Sequence, residues 1–298
     1  MEINNVPIDD TFAEAFPIKV ARALITGATS HWAEVAALES TGFGTSVIMC
    51  PAEAGIERYV SARETPDGRP GVYVQFCTFG YKALEGQLLA RLGQCVLTAP
   101  TTSVFNGLPN AEKQFDVGFK LRFFGDGYER EADVGGLKCY AVPMMQGEFT
   151  IEHSIGGVEG VAGGNFFIFG ENQMAALAAA ENAVAAIKEV EGSITPFPGG
   201  VVASGSKVGA QKYSFMKAST NEKYCPTLAG SVEGTCIPEG CTSLYEIVIN
   251  GTSLEAVKES IKVGIEAAVH IPGILKIGAG NYGGKLGKYQ INLHELFD

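Results

Sequence analysis

The second half of the chain repeats itself, and no other feature restricts the fold as tightly. Residues 165–209 read as an apolar strand, Gly170, a helical stretch, Glu191-Gly192-Ser193-Ile194 and then Gly205-Ser206-Lys207-Val208-Gly209. Residues 245–287 read as an apolar strand, Gly251, a second helical stretch, Pro272-Gly273-Ile274-Leu275 and then Gly283-Gly284-Lys285-Leu286-Gly287. Each copy is a β-α-β unit closed by G-x-K-V/L-G. Two such units in tandem predict a split βαβ, ferredoxin-like lobe, with its helices on one face of an antiparallel sheet. The first half offers a similar pair around helices at 31–40 and 81–98. At about 150 residues per domain, 298 residues make two such bodies. The expected class is therefore α+β, with two related ferredoxin-like lobes at residues 1–158 and 159–298.

Spacing of 3.6 residues marks the helices. Leu84, Leu88, Leu92, Cys95 and Val96 form one stripe, and Leu177, Ala180, Val184 and Ile187 a second. Val257, Ile261, Ile265 and Ala268 form a third, opened by the capping pair Thr252 and Glu255 and stopped by Pro272-Gly273. Strands are expected at 23–26, 45–49, 72–77, 119–124, 165–169, 201–204, 245–250 and 275–277.

Charge and composition remove several functions. Lys and Arg number 22 against 33 Asp and Glu, a net charge of −11, so the chain lacks the basic surface that phosphate neutralisation needs. Charged residues are only 18 % of the chain, which leaves less charge than usual to cover its surface and points to oligomer interfaces. The opening MEINNVPIDD has no basic region followed by an apolar run, unlike a signal peptide, and no apolar window is long enough to span a membrane. Seven scattered cysteines with no C-x-x-C pair read as reduced thiols of a cytoplasmic protein.

The candidate motifs divide sharply. Ile25-Thr26-Gly27-Ala28-Thr29-Ser30, together with Tyr213 and Lys217, imitates a short-chain dehydrogenase, but His31-Trp32-Ala33 stands where glycines must admit a pyrophosphate. Four histidines in separate segments give no metal-ligand spacing, and His270, ending a helix, reads as a cap. Cys50 and Cys225 each precede a proline, and lone cysteines of this kind are usually small buried hydrophobes. Glu246 is the informative residue. In Tyr245-Glu246-Ile247-Val248-Ile249-Asn250, alternation places Glu246 beside Val248 and Asn250 on one face of an apolar strand. Burial there would raise its pKa and keep it protonated near neutrality. The pattern alone equally allows a glutamate facing solvent.

Long blocks carry a family resemblance. DTFAEAF at 10–16, FGTSVIMCPAEAG at 43–55, ETPDGRPGV at 64–72, GQCVLTAPT at 93–101, FFGDGY at 123–128, GVAGGNF at 160–166, PFPGG at 196–200, ASTNEKYCPT at 218–227, YEIVING at 245–251 and GGKLG at 283–287 closely resemble the formylmethanofuran:tetrahydromethanopterin formyltransferases. The resemblance implies a cytoplasmic one-carbon enzyme of methanogenesis, a homotetramer that moves a formyl group from formylmethanofuran to N5 of tetrahydromethanopterin. It implies no metal and no bound prosthetic group, with the two carriers as cosubstrates. The family's acid–base glutamate falls on Glu246. Gly199, Gly200, Ser206, Lys207, Asn281, Tyr282 and Lys285, in the Gly-rich turns, are the substrate-binding candidates. Lys207 and Lys285 could face anionic carrier tails, and ordinary surface lysines are the plainer reading. The segment from Ala229 to Cys241 matches no block. Two other readings stand beside this one: a formyltransferase subunit of a formyltransferase/hydrolase complex, and a non-catalytic pterin-binding scaffold of the same fold.

Overall fold

The computed structural model describes residues 1–298, which divide into two compact units. One comprises Ile18–Gly160; the other joins Met1–Pro17 to Val161–Asp298. The opening 17 residues, expected in the first lobe, thus fold with the second half of the chain. Their pairing partner is the cause: Phe12–Ala15 lies antiparallel to Tyr289–Asn292.

The unit Ile18–Gly160 runs strand (to Thr26), helix Ser30–Thr41, strands Glu53–Val60 and Gly71–Thr78, helix Tyr81–Arg91 and strand Ser103–Asn106. Gly71–Thr78 lies between Glu53–Val60 and Lys19–Thr26, and Ser103–Asn106 flanks the latter on its other edge, all antiparallel. The order second–third–first–fourth is that of a split βαβ lobe. A meander of Arg130–Val134, Leu137–Met144 and Gly147–Glu152 extends it, with Thr150 and Ile151 parallel to Ser103 and Val104. Its core joins Ile25, Val74, Phe76, Leu84, Leu88 and Phe149.

The other unit repeats this plan. Strand Ile155–Gly170, which enters it at Val161, is followed by helix Gln173–Ile187, the short strand Ser193–Ile194, strand Ser243–Gly251, helix Leu254–Ala268 and strand Ile274–Gly278. The antiparallel pairings give the same order. The strand-to-helix turns match in detail. A Cβ on Gly27 would lie 2.8 Å from the Ala33 nitrogen, and one on Gly170 would lie 2.7 Å from the Ala176 Cβ. Each glycine thus lets the helix begin against its own strand. Two residues on, Thr29 and Asn172 cap the two helices.

Helix Leu254–Ala268 shows why these elements form. Ser253 caps it by accepting from the Ala256 N–H at 3.1 Å, while Val257, Ile261, Ile265 and Ala268 are buried on one face. The cap is one residue later than expected, because the Thr252 hydroxyl instead turns to the Gly192 carbonyl. At the other end the His270 ring lies 2.6 Å from the Glu266 carbonyl, the expected capping position.

Three expected strands differ. Residues 45–49 form a turn in which Met49 and Cys50 both donate to the Ser46 carbonyl, so the strand begins at Glu53. Residues 119–124 fall in the helix Val117–Leu121 and the 3-10 turn Arg122–Gly125, where the Arg122 guanidinium lies 4.0 Å from the Phe119 ring centroid. Aromatic side chains raised the strand expectation there, and Arg122 packs them from a helix instead. Residues 201–204 contribute only the isolated bridge of Val202 to Glu246. All seven cysteines are free thiols, no helix is long and apolar enough to cross a membrane, and no group of His, Cys, Asp and Glu is arranged to hold a metal.

Candidate active site

In strand Ser243–Gly251, Ile247 and Ile249 are fully buried in the core that contains both helices, so the two-residue period turns Glu246 to the sheet's other face. The strand is central. Glu246 pairs with Phe167 on one side, while on the other its N–H donates to the Val202 carbonyl at 3.1 Å and its carbonyl accepts from Val202 at 2.8 Å. The backbone is satisfied and the side chain is not: the Glu246 carboxyl makes no hydrogen bond or ion pair within the chain. Burial alone pushes its pKa up to about 7, although the residue stays partly accessible. It is a carboxylic acid within reach of a ligand and still protonated near neutrality.

Aromatic rings cover the adjoining part of this face. Tyr224 lies 4.7 Å from Phe167 and 6.4 Å from Phe169 between ring centroids, and Ile237, Cys241, Leu244 and Leu275 complete the cluster. The segment Ala229–Cys241, which matched no block in the sequence, brings Ile237 and Cys241 into this cluster. It is tied back by the Cys236 N–H, which donates to the Lys223 carbonyl at 2.8 Å.

A loop from Gly280 to Gly287 closes the other side. Asn165, on the same face as Phe167, accepts from the Gly280 N–H at 2.6 Å and donates back to the Gly280 carbonyl at 3.0 Å. Asn281 donates to the Thr11 hydroxyl and the Phe12 carbonyl, at 3.2 and 3.1 Å. Burial, and then the charges of Glu246 and Glu14, push the Tyr282 phenol upward and keep it protonated.

The candidates therefore separate. Asn281, Tyr282 and Lys285 share this loop, and Lys285 is exposed with no ion pair. Gly199 and Gly200, at φ 64° and 85°, form the turn that leads into Val202, the backbone partner of Glu246. Ser206 and Lys207 lie apart in a hairpin with Ala218–Thr220, where Lys207 is paired with Glu222. Tyr213 and Lys217 are on the exposed tip of that hairpin, not on a helix. Of the two proline-flanked cysteines, burial and then Glu222 raise the Cys225 thiol, whereas at Cys50 burial is outweighed by hydrogen bonds with Thr45 and Ser46, which lower it. Sequence reasoning missed Asn165 and Glu14. The available signal was a lone polar group in an apolar strand, the same signal that picked out Glu246.

The comparisons agree along the whole chain. Residues 1–144 match the profile of the family described as formylmethanofuran-tetrahydromethanopterin formyltransferase, and residues 147–296 match that of the FTR proximal lobe. The formylmethanofuran–tetrahydromethanopterin formyltransferase of Methanosarcina acetivorans is 68 % identical over 297 residues, covering 100 % of both chains. The solved enzyme of Methanosarcina barkeri superimposes with a TM-score of 0.98 at 67 % identity, again covering 100 % of both. A chain of the formyltransferase/hydrolase complex of Methylorubrum extorquens, solved with methylofuran, gives 0.94 at 41 % identity, covering 100 % of this chain and 99 % of that one.

Paired split βαβ lobes with a protonated carboxyl on one sheet face, seen beside these relatives, define a transferase of the acyl-transfer class. The chain belongs to the formylmethanofuran–tetrahydromethanopterin formyltransferase family.

Proposed function

We infer that the protein moves the formyl group of formylmethanofuran to N5 of tetrahydromethanopterin or a close variant of it, by direct amine attack assisted by Glu246. The observation that carries this reading is the unpartnered Glu246 carboxyl, held protonated up to about pH 7 by burial. The N5 amine adds to the formamide carbon, the carbonyl oxygen takes the electron pair, and the bond to the methanofuran nitrogen then breaks. An amine leaves only when protonated. Glu246 gives its proton to the departing nitrogen and recovers one from N5, so the step balances without a redox partner. The protonated Tyr282 phenol is a donor for the oxyanion. Lys285, unpaired, suits an anionic carrier tail. Amine-for-amine exchange asks for no metal or prosthetic group.

Identities of 68 % and 67 % to the Methanosarcina enzymes, against 41 % to a chain of the formyltransferase/hydrolase complex, support the formyltransferase reading, and the assembly proposed for it is a cytoplasmic homotetramer. Single turnover of formylmethanofuran with tetrahydromethanopterin should yield one N5-formyl product per site. No transfer by folded protein would leave a pterin-binding scaffold, and purification with hydrolase subunits would mark the complex.

A further inference from the structure

We propose that Glu14 is a positioning residue of the transfer site: its buried carboxylate shapes the loop Asn281–Gly287 from within and so fixes the backbone that carries Tyr282. The proposal rests on the acid–base reading of Glu246 given above. Glu14 lies on strand Phe12–Thr26 and is 2 % exposed, yet no cation pairs with it. Its charge is met entirely by backbone. Oε2 accepts from the N–H groups of Tyr282 and Gly284 at 2.7 and 2.9 Å, and Oε1 from those of Leu286 and Gly287 at 2.6 and 2.5 Å. Successive N–H groups turned inward around an oxyanion form a nest, with the protein's own carboxylate in place of a ligand.

The loop is moulded to that group. A Cβ on Gly287 would stand 2.6 Å from the Glu14 Cγ, and one on Gly284, whose φ is 71°, would stand 2.3 Å from the Gln290 amide nitrogen. Glycine at both positions lets the backbone close on the carboxylate, at the cost of a segment with little stiffness of its own. Glu14 supplies that stiffness, because opening the loop would strand a buried charge without donors. The hydrogen bonds all point inward, which leaves the Tyr282 ring and the Lys285 side chain free on the outer side. Asn281, whose side-chain Oδ1 accepts from the Gly283 N–H at 3.0 Å, fixes the loop's entry.

Single-turnover kinetics of the full chain test this. Glu14→Gln keeps the shape but replaces one acceptor oxygen by a donor that opposes two of the N–H groups. Its rate constant should fall about 10- to 100-fold through lost orientation, while the reacting fraction stays near that of the native protein. A purely structural role would lower the fraction and leave the rate constant alone. Tyr282→Phe should slow the native protein yet add little in the Glu14→Gln background, because the ring is already displaced. Gly287→Ala, which presses on Glu14 without removing its charge, should show the same non-additivity and decides the matter if Glu14→Gln does not fold. A native rate constant in Glu14→Gln or Tyr282→Phe, or additive losses in the double variants, overturns the proposal. Native turnover by Glu246→Gln would instead sink the acid–base reading, a separate result.

Discussion

Glu246 holds a proton at a pH where an ordinary carboxyl has lost it, and both catalysis and stability follow from that. Glu246→Gln preserves size and one donor but has no proton to give, so the chemical step should slow by about 10²–10⁴-fold with little change in substrate affinity. The native pH–rate profile should bend near 7, the value to which burial raises this group, and the bend should vanish in the variant. Near-native turnover by folded Glu246→Gln would return the strand to a structural role. Stability has the opposite sign from that of a salt-bridged acid. Unfolded, the group ionises near 4.5; folded, near 7. Its stabilising share is complete below the first value and lost as pH rises through the second. Thermal melts should therefore show native protein losing ground to Glu246→Gln between about pH 5 and about pH 8, and parallel curves would contradict the burial. Cys50, whose thiol is lowered by hydrogen bonds with Thr45 and Ser46 against its burial, is the thiol to test. Quenched enzyme given formylmethanofuran alone should carry no formyl group by mass spectrometry, and an adduct on Cys50 or Cys225 would refute direct attack.

Among the elements, the two lobes share a plan and differ in what the plan displays. By their registers, Phe167 opposite Glu246 corresponds to Leu24 opposite Tyr73. At that matching position the Arg22 guanidinium lies 3.9 Å from the Tyr73 ring centroid, and Arg22 is itself bonded to Glu57 at 2.6 Å, so the equivalent face is occupied by the chain's own side chains. The two G-x-K-V/L-G segments diverge likewise: one becomes a hairpin strand and the other wraps Glu14. That divergence marks how far the sequence could be read. Helix stripes, the β-α-β repeat and the glycine turns are local, so their periods reveal them before any tertiary contact is known. The helix at Val117–Leu121 packs Phe119 on Tyr140, which no local window contains, whereas the turn at 45–49 is closed by nearby Glu53, whose carboxylate accepts from the Val47 N–H where a strand pattern gives no sign of it. The acid was legible as a charge in an apolar strand, while Tyr282 sits on a loop whose backbone is held by Glu14, 268 residues away. The cap is a sharp test at this scale. Ser253→Ala should cost about 1 kcal/mol by chemical denaturation, and Thr252→Ala clearly less; the reverse ranking would restore the pattern expected from sequence alone.

For the whole molecule, a net charge of −11 on the chain makes any self-association an electrostatic question. Phe123, Phe124, Tyr128 and Met145 are all exposed, apolar surface that a partner subunit would cover. Sedimentation should show dimers or tetramers favoured by salt, which screens like-charged subunits from each other; a fully active monomer at every ionic strength would end that view. The division of the chain has a further consequence, in time instead of space. Residues 18–160 form one uninterrupted unit, set between the two segments of the other. A ribosome making about 5–20 residues per second would finish the inserted unit early, but would leave the first 17 residues waiting on the order of tens of seconds for Tyr289–Asn292. During that interval an unpaired strand edge and the Glu14 carboxylate travel with the nascent chain, candidates for chaperone shielding. Stalled chains ending before residue 280 should resist protease across 18–160 and be cut within 1–17, whereas early protection of both would mean that the opening strand finds a temporary partner.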